Sequence, residues 1–274
     1  MSAMKPNPKF ANETPSFWAL VRYASEQIGY SNRAKKGKVK SLRRYTYNEL
    51  DEFSKKLGID DAIVRRVTHY LNHRADVLEK HVEKQLMNRE IAEELFYRLR
   101  VKYKPTCHLP LNKQKGTKHH HAYFTCIINI LTEATLGGAV FDDNPSRLLT
   151  IKDAKGRLVA TLSRRLDGAY PGVQDPHAVW EVKEYYGTTT FGSRVADGVY
   201  ETELDGYEIN EAAKAASRRV EHYLFVDDYF TWWDCGRSYL CRLIDAMHMG
   251  LVDEVIVGRE VLVHWPDIVS KWPR

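Results

Sequence analysis

The chain has 274 residues, of which 43% are hydrophobic and 11% aromatic, and this is enough apolar material for one large or two modest globular domains. The net charge of +5 mildly favours anionic partners, and four cysteines without a CxxC pair favour reduced thiols over a zinc site. No apolar stretch approaches a membrane span and the first ten residues lack a signal-peptide core, so we expect a cytoplasmic protein with no membrane partner.

The first predicted domain is helical and spans residues 14–104. Thr14 and Pro15 have the pattern of a helix start, and Thr46 with Glu49 has the pattern of a capping box. The order helix, glycine-containing turn, helix resembles a helix-turn-helix DNA-binding module. Two amphipathic helices joined by such a turn also occur in many bundles, so a purely structural helical domain is the alternative.

Basic residues are concentrated between the first two predicted helices. Residues 31–44 hold seven lysines or arginines and no acid, a block typical of a nucleic-acid contact or a flexible tail, with a plain solvated loop as the alternative. Such a contact neutralises phosphates and makes binding sensitive to salt. The predicted nucleic-acid contacts in this half are Lys35, Lys36, Lys38, Lys40, Arg43, Arg44, Arg65 and Arg66.

A linker and a long apolar helix follow. Two prolines, a glycine and several lysines predict a linker at residues 105–118, and the second domain then spans residues 119–274. Apolar residues recur with helical spacing between His120 and Gly137, which predicts a helix. Glu133 lies at the flank of that apolar stripe, where a carboxylate is costly to bury without a partner. A glutamate hydrogen-bonded to solvent is the alternative.

The most informative motif joins Asp167 to Glu181-Val182-Lys183. Residues 148–151 and 157–166 have the pattern of a hairpin, so Asp167 is predicted to end its second strand. Glu181 and Lys183 stand two apart on the next predicted strand and therefore share a face. Two carboxylates can hold a hard divalent cation through oxygen. A solvated strand face is the alternative for Glu181 and Lys183.

Two other acids compete with this motif. Asp153-Ala154-Lys155 has the same acid-x-Lys spacing, but it lies in a predicted hairpin turn whose side chains point to solvent. Asp175 could replace Asp167 as the first acid. It stands only six residues before Glu181, which leaves little room for two strands and a turn, so we prefer Asp167.

Further elements are predicted downstream. Val195, Val199 and Leu204 predict a helix, and Arg194 near its start is suited to meet a phosphate. Thr189 could donate a hydrogen bond to a nucleic-acid backbone or simply cap this helix. Arg194 also shares a face with Asp197 and Glu201, so a surface ion pair is the alternative. A buried strand at residues 223–226, a helix at 232–249 and a short strand at 255–257 complete the pattern.

The order helix, three strands, helix, strand resembles the PD-(D/E)xK nuclease superfamily, which has the restriction-endonuclease-like fold. In this resemblance Asp167 matches the first acid, Glu181 the second acid and Lys183 the lysine, while Glu133 matches the extra acid that many members carry. Leu166 precedes Asp167 where the family often has proline, a tolerable variation. The fold class implied is α+β, a helix-turn-helix-like N-terminal domain followed by an αβββαβ core with a mixed central sheet.

The resemblance implies a metal-dependent endodeoxyribonuclease similar to type II restriction enzymes. Asp167, Glu181 and the Val182 carbonyl, with Glu133, would hold Mg²⁺, for which Mn²⁺ is a substitute, and Lys183 would orient the attacking water. Double-stranded DNA is the implied partner, together with a homodimer or partner proteins of an antiviral defence system, because cutting two strands requires two sites. The alternatives are a nuclease subunit active only in a defence or transposition complex, and a non-catalytic helix-turn-helix regulator.

Overall fold

The structure is a computed structural model, and it describes residues 5–32, 41–112, 120–186 and 192–274. The described residues form an α+β protein. Its helices in chain order are α1 (Pro15–Ile28), α2 (Tyr47–Ser54), α3 (Asp61–Val77), α4 (Glu83–Gln85), α5 (Arg89–Tyr103), α6 (Tyr123–Leu136), α7 (Ser193–Ala216), α8 (Arg237–His248) and α9 (Val261–Val269). Its strands are β1 (Thr150–Lys152), β2 (Leu158–Thr161), β3 (Gly168–Tyr170), β4 (Ala178–Glu184), β5 (Glu221–Asp227) and β6 (Glu254–Val257).

The N-terminal helices begin and end where the sequence signals predict. The Thr14 side chain accepts a hydrogen bond from the backbone of Phe17 at the start of α1. Thr46 and Glu49 form a complete capping box at the start of α2, and Gly58 takes a left-handed conformation after a short 3₁₀ turn. Both predictions are confirmed. The helices α1, α2 and α3 pack on one another around a common apolar cluster.

The central sheet is mixed and has four strands in the order β3-β4-β5-β6, so the prediction of a mixed sheet is confirmed. β3 pairs antiparallel with β4, whereas β4, β5 and β6 run parallel. The predicted hairpin is present as β1 and β2, but it forms a separate two-stranded sheet. Asp167 therefore does not end β2. It directly precedes β3, and Arg164 in the segment between β2 and β3 pairs with Asp205 on α7.

Helices cover both faces of the sheet. Side chains alternate between the two faces along each strand, so neighbouring residues pack against different helices. Phe225 and Ile256 pack with α5, α6 and α9 on one face. Their neighbours Leu224 and Val255 pack with α7 and α8 on the other. The helix α5, expected in the helical domain, packs here on α6. The proposed domain boundaries themselves remain a prediction.

Two helix predictions in this half need correction. The predicted helix 232–249 is interrupted, because residues Phe230–Cys235 form a π-helical turn and α8 begins only after Gly236. Leu204 is 45% exposed rather than part of the buried stripe of α7. The small residues Thr202 and Gly206 take the buried positions instead, and Gly206 lets the helix approach Leu251 closely. No helix in the described ranges is long and apolar enough to cross a bilayer.

Candidate active site

Asp167 lies where strands β3 and β4 separate. Its backbone N–H donates to the carbonyl of Trp180 at 3.1 Å, next to the last paired position of the β3–β4 ladder. Beyond that point the N–H of Val182 donates to the Asp167 carboxylate oxygen Oδ2 at 2.8 Å. The Asp167 carboxylate thus accepts the hydrogen bond that the backbone of a neighbouring strand would otherwise accept from the Val182 N–H. Asp167 is fixed by its own backbone and by Val182 directly beside Glu181.

The Glu181 carboxylate is 3% exposed and only one of its oxygens is satisfied. Oε1 accepts hydrogen bonds from Lys183 Nζ and from Arg164 Nη2, each at 2.7 Å. Oε2 is buried and receives no hydrogen bond from a donor in the described ranges. The Asp167 carboxyl group approaches Glu181 closely enough for a hydrogen bond when one of the two carries a proton. Two facing carboxyl groups with no donor between them require a shared proton or a cation.

The environments of the two acids push their pKa values in opposite directions. Burial and then the charge of Glu181 raise the pKa of Asp167 to about 8. Burial also acts to raise the pKa of Glu181, but the cations Lys183 and Arg164 outweigh it and hold that pKa below its usual value. At neutral pH Glu181 is therefore ionised and Asp167 holds a proton that a metal cation could replace.

Lys183 is held between two carboxylates. Its Nζ lies 2.7 Å from Glu181 Oε1 and 2.6 Å from Glu201 Oε2 on α7. Burial acts to lower the pKa of Lys183, but Glu181 and Glu201 outweigh burial and raise it. Gly198 on α7 leaves room for the lysine, because a Cβ there would stand 3.3 Å from its Cδ and Cε. A lysine that stays charged can orient a bound group or stabilise negative charge, but it cannot act as a base at neutral pH.

Arg164 and Asp205 belong to the same cluster and were missed in the sequence. Arg164 Nη1 lies 2.5 Å from Asp205 Oδ2, and its Nη2 reaches both Glu181 and Glu201. Asp205 is fully buried, its Oδ1 has no described partner, and burial raises its pKa to about 7 against the effect of Arg164. Asp205 could have been found one helical turn beyond Glu201. Arg164 carries no comparable sequence signal, because it lies between two strands.

The structure does not bring Glu133 to this cluster. Its carboxylate accepts hydrogen bonds from the backbone N–H and the hydroxyl of Thr106, near the C-terminal end of α6. The site lies near the opposite end of that helix, where Glu184 of β4 accepts from the backbone of the first turn. Nine residues of α-helix between Phe124 and Glu133 correspond to about 14 Å. The sequence predicted a helix that carries Glu133, but it gave no signal for which end of that helix lies near the cluster around Glu181.

The two competing acids also have other partners. Asp175 pairs with Arg218 and accepts the N–H of Lys152 at 2.9 Å. Asp153 accepts the N–H of Lys155 in the hairpin turn, as expected for a turn residue. Neither carboxylate is hydrogen-bonded to the cluster around Glu181.

A cavity of about 490 Å³, lined by both polar and apolar residues, opens beside Asp167. Val182 and Glu184 form its wall on the sheet side, and His108 and Asp143 contribute from the loops. The described residues contain no group of three or more His, Cys, Asp or Glu side chains arranged to hold a metal ion. The chain therefore offers a cation two carboxylates, those of Asp167 and Glu181, and would need backbone, water or substrate oxygen for the remaining ligands.

The predicted nucleic-acid contacts have mixed outcomes. Lys35, Lys36, Lys38, Lys40 and Thr189 lie outside the described residues. The four described arginines among these predicted contacts, Arg43, Arg44, Arg65 and Arg66, are each paired with an acid. Arg194 is exposed at the start of α7, and its backbone carbonyl accepts from Tyr185. The N-terminal pairs are Arg43–Glu49, Arg44–Asp76, Arg44–Glu79, Arg65–Asp61 and Arg66–Glu13.

Comparisons with known proteins return two family matches. No curated protein and no solved structure matches the chain. The family described as "Domain of unknown function (DUF7690)" matches residues 4–81, the N-terminal helices. The family described as "Domain of unknown function (DUF7687)" matches residues 87–272, which include the sheet and every residue of the cluster around Glu181. Because this match covers more than half of the chain, the protein belongs to the DUF7687 family.

Proposed function

We propose that this protein is a metal-dependent endonuclease that hydrolyses DNA phosphodiester bonds. The observation that carries the proposal is the pair of facing carboxyl groups, Asp167 and Glu181, with one buried Glu181 oxygen lacking a described donor. Lys183 is bonded to the other Glu181 oxygen, which completes the acid, acid-x-lysine pattern. The resemblance to the PD-(D/E)xK superfamily rests on this pattern.

The donor set fits a hard divalent cation such as Mg²⁺, with Mn²⁺ as a substitute. Asp167 and Glu181, with the Val182 carbonyl, would hold the ion and exchange the Asp167 proton for it. A bound cation of this kind polarises the scissile phosphate and makes water a better nucleophile. Because the Asp167 pKa is about 8, metal binding should strengthen as the pH rises toward that value.

The cations around Glu181 have separate tasks in this proposal. Lys183 is fixed by Glu181 and Glu201 and stays charged, so it would orient the attacking water and stabilise the developing negative charge. Arg164 bonds both Asp205 and Glu181 Oε1, so both cations share one Glu181 oxygen and Oε2 is left for the metal.

The order of elements supports a restriction-endonuclease-like core. An apolar helix α6 precedes the antiparallel pair β3–β4 that carries the motif, and α7 then leads to β5 parallel to β4. One departure is the hairpin β1–β2, which stands apart from the central sheet. The proposed core therefore uses β3 and β4 as its motif-bearing strands and extends its sheet through β6.

The decisive experiment is cleavage of supercoiled plasmid by the purified protein with Mg²⁺, with Mn²⁺ and with EDTA. We expect cutting that requires metal and is lost in Asp167→Asn and in Lys183→Ala. Asp175→Asn and Lys155→Ala are matched controls, because they change the competing first acid and the competing lysine, and both should cut normally. Cutting that survives in both site variants would refute the assignment.

A binding measurement separates the metal site from the reaction. Mg²⁺ added to the protein without DNA should raise its melting temperature, because a ligand that binds only the folded state stabilises it. The rise should be absent in Asp167→Asn and present in Asp175→Asn. A metal-dependent rise without plasmid cutting would indicate a subunit that works within a defence or transposition complex. Absence of both would favour a DNA-binding regulator without a reaction.

Cleavage of both strands requires two sites on opposed strands, so we propose that the chain acts as a homodimer or with partner proteins. A role in bacterial defence against foreign DNA is proposed by analogy with type II restriction enzymes. Cell survival during phage infection, compared between the active protein and Asp167→Asn, tests this role directly.

A further inference from the structure

The last two turns of α5 expose an unusual combination of side chains. Tyr97 is 46% exposed and Val101 is 76% exposed, and the two are stacked at i and i+4 along the helix. Arg98 and Lys102 follow one flank of this strip with the same spacing. Arg100 and Lys104 follow the other flank. We call this surface the α5 basic face; it consists of Tyr97, Arg98, Arg100, Val101, Lys102 and Lys104.

No acidic side chain interrupts the α5 basic face. The stretch from Tyr97 to Lys104 contains four cations and no Asp or Glu. None of the four forms an ion pair with any residue in the described ranges. Lys102 instead stands over the ring of Tyr103, with its Nζ 4.6 Å from the ring centroid. These charges are therefore available to a partner.

The helix dipole does not account for this arrangement. Cations are favoured near a helix C-terminus, but the effect decays within the last turn. Arg98 lies five residues before the last helical residue, Tyr103, and is outside that range. The exposed Tyr97 and Val101 also add apolar surface that the dipole does not explain.

We propose that the α5 basic face binds the phosphate backbone of DNA. Four cations without an ion pair in the described ranges, around the exposed strip of Tyr97 and Val101, suit a polyanion that also offers apolar sugar surface. The arginines that the sequence favoured differ in this respect, since Arg43, Arg44, Arg65 and Arg66 are each bonded to carboxylates. The inference names where the proposed nuclease holds its substrate, and so it rests on that function, but binding can be measured without cleavage.

The test is fluorescence anisotropy with a labelled DNA duplex of random sequence in EDTA, across a series of NaCl concentrations. The variant carries Arg98→Gln, Arg100→Gln and Lys102→Gln, because glutamine is a good helix former. The control carries Lys80→Gln, Lys214→Gln and Lys271→Gln. These three lysines are exposed, and each is paired with an acid three or four residues earlier in the chain. The control loses three positive charges, as the variant does. Circular dichroism melts of both proteins verify folding.

We expect the variant to bind DNA at least about tenfold more weakly than wild type at moderate salt, and its salt slope to fall by about one for each lost phosphate contact. The control should bind within about twofold of wild type. Equal losses in both proteins, no loss in the variant, or no DNA binding by wild type at low salt would each overturn the proposal.

The binding result is independent of the metal site. Asp167→Asn should bind the duplex in EDTA as well as wild type does, even though it should not cut. If the variant loses binding and no protein cuts plasmid, the α5 basic face stands and the nuclease assignment fails. If the variant binds normally and wild type cuts plasmid, the nuclease assignment stands and the proposed role of the α5 basic face fails.

Discussion

The Asp167 carboxyl group destabilises the fold as it ionises. Its ordinary pKa is 3.8 and its folded pKa is about 8, so the folded protein binds this proton more tightly than the unfolded chain. The contribution of Asp167 to stability is therefore greatest below its ordinary pKa and declines as the pH rises from about 4 to about 8. A bound cation that compensates the charge of ionised Asp167 would offset this loss of stability.

Asp167→Asn should stabilise the metal-free protein at pH 8 and have much less effect near pH 4. Asparagine stays neutral, its oxygen can still accept from Val182, and its amide can donate to the free oxygen of Glu181. Denaturant unfolding in EDTA at the two pH values measures the effect. A variant less stable than wild type at pH 8 would contradict the raised pKa.

Asp175→Asn is the control with the opposite sign. Burial acts to raise the pKa of Asp175, but the N–H of Lys152 and the Arg218 guanidinium outweigh it and lower that pKa. The carboxylate then stabilises the fold above its ordinary pKa of 3.8, and this contribution is lost as the pH falls through the lower folded value. Asp175→Asn should therefore destabilise at pH 8 and approach wild type in acid. Asparagine tolerates the left-handed backbone at this position.

Arg164→Ala should destabilise the protein by about 3–5 kcal/mol, because it leaves Asp205 and Glu181 buried with fewer cations. Adding Asp205→Asn should recover part of the loss, since the asparagine carries no charge to compensate. Arg157→Ala is the surface control: the Arg157 side chain that pairs with Asp153 is 70% exposed, so its loss should change stability little. Chemical denaturation of wild type, Arg164→Ala, Asp205→Asn, the double variant and Arg157→Ala forms the test, and additive effects of Arg164→Ala and Asp205→Asn would contradict their coupling.

Residue spacing predicted only the part of the site that lies on one strand. Glu181 and Lys183 share a face of β4, as period-two alternation requires. Asp167 is preferred to Asp175 because six residues before Glu181 leave little room for two strands and a turn. Arg164, Glu201 and Asp205 join them through the packing of α7 on the sheet. Contacts between distant segments have no local sequence signal.

At the scale of elements, Gly168 sets the approach of β3 to the sheet. A Cβ at this position would stand 2.0 Å from the Trp180 ring, so no side chain fits without moving β3 or the indole. Gly168→Ala should cost about 1–3 kcal/mol and displace the neighbouring Asp167, so that the Mg²⁺-dependent rise in melting temperature is reduced. Gly172→Ala, at a position with open space, should fold normally and keep that response.

Element identity followed from the sequence where local signals agree. The capping box of α2 and the apolar spacing of α6 are local, and both elements are present. The interruption before α8 was missed because Phe230–Cys235 is apolar enough to continue a helix, although its backbone forms a π-helical turn. The separation of β1–β2 from the main sheet depends on pairing partners, which spacing within a strand does not specify.

At the scale of the whole molecule, a buried ion pair joins the N-terminal helices to α8. Arg74 on α3 is 1% exposed and its Nη1 lies 2.7 Å from Asp245 Oδ2, while Tyr70 donates to the other carboxylate oxygen at 2.7 Å. The two residues lie in the ranges matched by the two different families. Their pairing makes the two segments depend on each other for stability.

Asp245→Ala should cost about 3–5 kcal/mol, because Arg74 is left charged and buried. We expect calorimetry to show one unfolding transition for wild type and two for the variant, since the segments then lose their strongest polar link. Lys5→Ala removes an ion pair to Glu254 that also spans the two segments, but the Lys5 side chain is 45% exposed, whereas Arg74 is buried. It should keep a single transition, and a split transition there would contradict the special role of Arg74–Asp245.

Because the Val182 amide donates to the Asp167 carboxylate, hydrogen exchange at this amide depends on what Asp167 binds. The amide proton is protected by a side chain rather than by a neighbouring strand, so its protection follows the state of one carboxyl group. When Asp167 is drawn toward a cation, this bond must lengthen or tilt, and deuterium should enter at Val182 sooner. Amides deeper in β4, held by the ladder to β5, should keep their exchange rates. Deuterium uptake at a single backbone position could thus report occupancy of the site before any bond is cut.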